Sequence, residues 1–164
     1  MKTIRILAAA TVLAASPAAV AHTATTGHVM VDPAAVQWGA GPPALPPGAR
    51  AALLYGDPSK EGLFVMRLWV PAGFHIAPHM HSRPEILTII SGGFLLGMGT
   101  QADRATVRRL GPGSFTAMPA GMPHFAYTDE DTVLQISTTG PWAVNYINPA
   151  DDPRNQPKLN PERG

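Results

Sequence analysis

The sequence predicts an all-β fold, a single antiparallel sandwich or barrel, and three observations predict it. Short β-type apolar runs recur along residues 51–150, each bounded by turn residues. The chain holds 18 prolines and 16 glycines in 164 residues, and most of them fall between those runs. No window of a dozen residues there combines helical periodicity with freedom from Gly and Pro. Many short strands with turn signals at such spacing form sandwiches or barrels.

The elements follow in order. Met1–Arg5 is a short basic start, Ile6–Val20 is an uncharged Ala/Leu/Val stretch, and Ala19-Val20-Ala21 is a small-x-small cleavage site. This is the plan of a secretory signal peptide over residues 1–21, with cleavage after Ala21 and a periplasmic or secreted mature chain. A membrane-spanning helix needs about 20 apolar residues, and Pro17 interrupts a shorter run, so no membrane contact is expected after cleavage. No Arg-Arg pair precedes the apolar run, which favours the general export route for unfolded chains. Residues 22–50 read as an irregular N-terminal arm, because Gly41-Pro-Pro-Ala-Leu-Pro-Pro-Gly48 suits neither helix nor a central strand. Brief pairing is expected near Val29–Val31. Residues 51–150 form the barrel. Its predicted strands are Ala51–Tyr55, Leu63–Val70, Glu85–Ser91, Phe94–Met98, Ser114–Met118, Thr132–Thr138 and Ala143–Ile147. The polar, Pro-punctuated residues 151–164 read as a loose tail.

Composition narrows the function. Without Lys2 and Arg5 the mature chain carries 10 basic and 11 acidic side chains. Its longest basic run is Arg108-Arg109, which reads as a solvated face and leaves no footprint for nucleic acid. There is no cysteine. An exported domain so built stands on its core without disulfides, and any metal must be held by nitrogen and oxygen.

Two turn-rich blocks carry the chemistry. In the first, His79 and His81 sit at strand parity and project to one side, with Met80 opposed. Glu85 follows at even spacing after Pro84 and returns to the same side. Two imidazoles and a carboxylate on one face make a partial site for a borderline cation. In the second, Pro119-Ala-Gly121 builds a tight turn that presents His124 as the fourth ligand.

The two blocks resemble the paired motifs of the cupin superfamily. Gly73, His79, His81, Glu85 and Gly92 fit its first motif; Gly113, Pro119, Gly121 and His124 fit its second, with 20 residues between the two. Thr128 stands where the family often has Asn, a departure that touches local turn geometry and not the ligands. The resemblance spans about residues 50–148, and the block Gly140–Pro153 is similar to the ending of a group of small exported bacterial cupins. The resemblance implies a single-domain jelly-roll barrel, or double-stranded β-helix, that holds one divalent transition metal (Mn, Fe, Ni, Cu, Co or Zn) through His79, His81, Glu85 and His124. Germin-like, dioxygenase and isomerase cupins use this ligand set. Three imidazoles and one carboxylate leave two open positions on a six-coordinate ion, unlike a closed structural zinc site. A chain exported unfolded takes up its metal outside the cytoplasm, where the affinity order favours Cu and Zn.

The remaining candidates weigh less. His75 shares parity with His79 and His81, although Pro78 interrupts the run. His22 would begin the mature chain. Met80, Met98, Met118 and Met122 read as packing. Arg67, Arg83, Gln135, Trp142 and Tyr146 are the polar or aromatic groups closest to an otherwise apolar pocket in this reading. The expected function is a metal-dependent enzyme of dioxygenase or oxidase type on a small organic molecule, with Glu85 as its proton acceptor. A non-oxidative lyase or isomerase and a non-catalytic periplasmic binding module are the alternatives. β-rich edges with few charged gatekeepers, as in Ala51–Tyr55, lead to an expected homodimer.

Overall fold

The computed structural model describes residues 27–156; the leader expected over residues 1–21 lies outside them. Alternation of buried and outward positions makes the strands and closes them on one another. Eleven strands form: β1 (Gly39–Ala40), β2 (Arg50–Tyr55), β3 (Gly62–Val70), β4 (His75–His81), β5 (Glu85–Ser91), β6 (Phe94–Met98), β7 (Arg108–Leu110), β8 (Phe115–Met118), β9 (His124–Thr128), β10 (Thr132–Gly140) and β11 (Val144–Tyr146). They build a six-stranded sheet in the order β1-β2-β3-β10-β5-β8 and a five-stranded sheet in the order β11-β4-β9-β6-β7. Every pairing is antiparallel. This is the jelly-roll architecture expected.

The core lies between the sheets. Phe64, Met66, Leu68 and Val70 of β3, Leu87 and Ile89 of β5, and Leu134 and Ile136 of β10 bury their side chains there. Phe94 and Leu96 of β6 and Ile76 of β4 meet them from the opposite sheet. Burying each such side chain is worth about 1.5–3 kcal/mol, so the core carries most of the stability in a chain that has no disulfide.

Several expectations require correction. No strand forms at Val29–Val31; the arm instead pairs through Gly39 and Ala40 with Ala51 and Arg50. From there the Pro-rich loop folds back, with the Gly41 amide donating to the Ala49 carbonyl at 3.0 Å, and inserts Leu45 into the core. Four stretches not named as strands pair as β1, β4, β7 and β9. The loose tail does not begin at Asp151. Two 3-10 turns, Pro149–Asp151 and Pro153–Asn155, order the chain there, and Arg154 donates to the Val144 carbonyl at 2.9 Å.

The outer face of the five-stranded sheet carries an aromatic layer. His75 stacks on Tyr127 with ring centroids 4.4 Å apart, the Arg104 guanidinium lies 5.0 Å from the Tyr127 ring centroid, and Phe125 meets Tyr127 edge-on. His75 is therefore directed away from His79 and His81. The cause is a register shift between Ile76 and His79 in the pairing of β4 with β9. It spends Ala77 and Pro78 on the irregularity, so that Ile76 and His79 both face inward despite odd spacing.

Candidate metal centre

Three strand ends deliver four buried polar side chains to one place. His79 and His81 come from β4, Glu85 opens β5 and His124 opens β9; all four are at most 6% exposed. The connecting turns are fixed locally. The Thr138 hydroxyl donates to the Pro84 carbonyl ahead of Glu85. The Gly121 amide donates to the His81 carbonyl at 2.9 Å, which ties the second motif's turn to the end of β4. Gly92, at φ +79°, passes so close to β10 that a Cβ would lie 2.3 Å from the Asp131 carbonyl oxygen; only glycine fits there. Thr128 accepts from the Phe74 amide and donates to the Pro71 carbonyl at 2.6 Å, closing the turn that launches β4.

Each imidazole is oriented by a backbone carbonyl at its Nδ1. His79 meets Ala77 at 2.8 Å, His81 meets Ala143 at 3.0 Å and His124 meets Met122 at 3.0 Å. A carbonyl can only accept, so Nδ1 carries the proton and the Nε2 lone pair is turned to the interior. Ligand nitrogens of the three rings lie within 4.8 Å of one another. The Glu85 carboxylate joins them, with Oε2 3.2 Å from His81 Nε2 and 3.1 Å from His124 Nε2. Lone pairs and carboxylate oxygens facing one another repel unless a proton or a metal ion lies between them. His81 Nε2 is accordingly a buried nitrogen without a satisfactory hydrogen bond. This donor set fits a divalent metal in chemistry and in orientation.

Electrostatics agree with that reading. Burial, reinforced by the neighbouring His124 and His81 rings, pushes His79 down to about 3, so it is neutral at physiological pH. Burial works to raise the Glu85 carboxyl, but the contacts of His124 and His81 outweigh it and hold it at about 2. An anionic carboxylate beside the neutral His79 ring suits a cation.

The centre opens on a cavity of about 30 Å³ whose other walls are apolar, among them Leu68, Leu87, Leu134, Ile136 and the arm's Leu45. Such a volume holds a water or two and no more. Of the five polar or aromatic candidates, only Trp142 lines it; its ring stacks on His81 with centroids 4.4 Å apart and planes 14° apart. Tyr146 lies one step out, 5.8 Å from His79, and donates to the Ala44 carbonyl at 2.8 Å. Arg67 and Gln135 pair with each other at 3.2 Å on outward positions of β3 and β10, and Arg83 is exposed. Of the four methionines read as packing, Met118 lies in the core and Met80 is half-buried, but Met98 and Met122 are exposed. Sequence reasoning missed Leu45 and the carbonyl of Ala143, since neither carries a local signal for the site.

A two-sheet antiparallel barrel with three inward imidazoles oriented for a cation is a β-barrel with a centre that fits a divalent metal. The chain belongs to the cupin family, whose model matches residues 57–144. Solved structures agree on the fold. The polyketide cyclase RemF from Streptomyces resistomycificus aligns with TM-score 0.61 at 17% identity, covering 77% of this chain and 90% of that one. A candidate acetylacetone dioxygenase from Methylibium petroleiphilum aligns with TM-score 0.59 at 20% identity, covering 80% and 88%. The DMSP lyase DddQ from Ruegeria pomeroyi aligns with TM-score 0.50 at 26% identity, covering 66% of this chain and 58% of that one. No protein of curated function matches the chain.

Proposed function

We propose that this cupin is a metal-dependent enzyme of oxygenase or oxidase type acting on a small organic molecule. The observation that carries the reading is the convergence of three lone pairs and one carboxylate on an apolar cavity. His79, His81, His124 and Glu85 would hold one divalent transition metal. When bound, such an ion supplies Lewis acidity and, if redox-active, electrons for dioxygen. The chain's own residues do the rest. Leu68, Leu87, Leu134 and Ile136 keep bulk water from the reacting atoms and strengthen every charge interaction there. Glu85 is the proton acceptor in this proposal. Its carboxylate, ionised in this site, would take a hydroxyl or enol proton brought within hydrogen-bond reach.

The deciding experiment isolates the protein from its native envelope, measures its metal, and identifies any co-purifying small molecule by mass spectrometry. Turnover of that molecule is then followed with and without oxygen. An oxygenase stops anaerobically and consumes oxygen in proportion to product. Unchanged anaerobic turnover, or equal activity with zinc, replaces this reading with a lyase or isomerase. Stoichiometric binding without product replaces it with a binding module.

We further propose export and cleavage after Ala21, supported by the basic start, apolar run and Ala19-Val20-Ala21. N-terminal sequencing of the native protein should begin at His22, and an intact Met1 rejects it.

A further inference from the structure

Trp142 stands between two cavities. One is the 30 Å³ space at the metal centre; the other is an outer pocket of about 250 Å³ lined by Pro42, Ala44, Pro58, Met66 and Arg154. Trp142 and Val144 belong to both walls. The inner space is too small for the body of an organic molecule, whereas the outer pocket approaches the roughly 300 Å³ at which small-molecule sites begin. The indole is held flat against His81 by stacking, and the next residue's carbonyl, Ala143, accepts from the His81 ring. One polar atom of Trp142 is left over. Its Nε1 is buried and has no hydrogen-bond partner, although buried indole N–H groups usually find one.

We propose that the outer pocket receives the apolar body of the substrate and that, as it enters, the Trp142 ring shifts so that its buried indole N–H donates to a carbonyl or carboxylate oxygen on it. This selects an oxygen-bearing molecule with a compact apolar body. Trp142 is then a specificity-determining group, and the ligand oxygen supplies the acceptor that its buried donor lacks. The inference rests on the proposed function insofar as the site takes a small oxygen-bearing molecule.

The test uses the zinc-loaded full chain with ¹⁵N-labelled indoles and benzoate as the probe. Zinc drives no oxygen chemistry, so failure of the oxygenase reading leaves this titration intact. The Trp142 resonance is assigned as the indole signal that persists in both Trp38→Phe and Trp69→Phe, and Trp142→Phe keeps an aromatic ring against His81 and removes the donor. Benzoate should move that indole N–H signal saturably, together with the methyl signals of Ala44 and Met66. Trp142→Phe should bind benzoate about tenfold more weakly while retaining its zinc. Toluene, which has the ring but no oxygen, should bind both proteins alike. An indole signal that benzoate leaves in place overturns the proposal, even if Trp142→Phe fails to fold; equal benzoate affinity in the two proteins overturns it as well.

Discussion

Gly97 and Phe125 face each other across the β6–β9 pair, and the Phe125 ring fills the space that any side chain on residue 97 would need. A Cβ at Gly97 would lie 2.2 Å from ring carbons of Phe125, which is itself 0% exposed. Gly97→Ala should therefore destabilise the fold by about 1–3 kcal/mol through overpacking. Phe125 alternates with His124 and lies on the opposite face of β9, so the variant should still bind metal stoichiometrically in the cold. Thermal unfolding together with metal analysis checks both parts.

The ligand assignment is tested one donor at a time. His79→Ala, His81→Ala and His124→Ala should each lose most of the metal, because each removes one of four protein donors. Glu85→Gln should lose less, since an amide oxygen still coordinates without its charge. Stability should fall with occupancy: a ligand present at a hundred times its Kd contributes about 2.7 kcal/mol. Full occupancy in all three alanine variants would place the site elsewhere.

Tyr146 gives the fold an alkaline signature. Burial, with a smaller push from the Asp152 charge, raises its phenol to about 12. A pKa raised above its unfolded value of 10.0 means that the stabilisation is complete below pH 10 and is lost as pH rises toward 12. Ultraviolet titration should show one tyrosine ionising late, and Tyr146→Phe should abolish that step. Below pH 10 the variant should also be less stable by roughly 0.5–1.5 kcal/mol, the worth of the hydrogen bond to Ala44. The difference should shrink above pH 10.

We propose that the protein is a homodimer. β1 covers β2 only at Arg50 and Ala51, and among the described residues no strand pairs with the outer edge of β2 beyond them. An uncharged open edge of this kind invites a second copy. Light scattering at micromolar protein should give twice the chain mass, with Leu54→Lys lowering it. A monomer mass for the unsubstituted protein rejects the dimer.

The strands legible in the sequence were those with clear period-two alternation, such as β3 and β10. β9 escaped because its residues are buried on both faces and the pattern has no period. β7 escaped because two of its three residues are exposed arginines. His79, His81, Glu85 and His124 were legible through spacing, since strand parity and a tight turn are local properties. The surroundings were not. Leu45 reaches the cavity from a proline-rich loop, Trp142 reaches it through the pairing of β11 with β4, and the outward turn of His75 depends on a register shift. Each is set by contacts far apart in sequence.

The bond from His81 to the carbonyl of Ala143 joins residues 62 positions apart, and this separation sets an order of events as the chain folds. All four proposed ligands have been made once His124 has been added. The His81 ring still has no fixed direction until Ala143 is in place and β11 has docked on β4. A chain ending short of Ala143 therefore carries the full set of proposed donors without a finished metal centre. Holding the ion tightly becomes a late step, gated by arrival of the last strand.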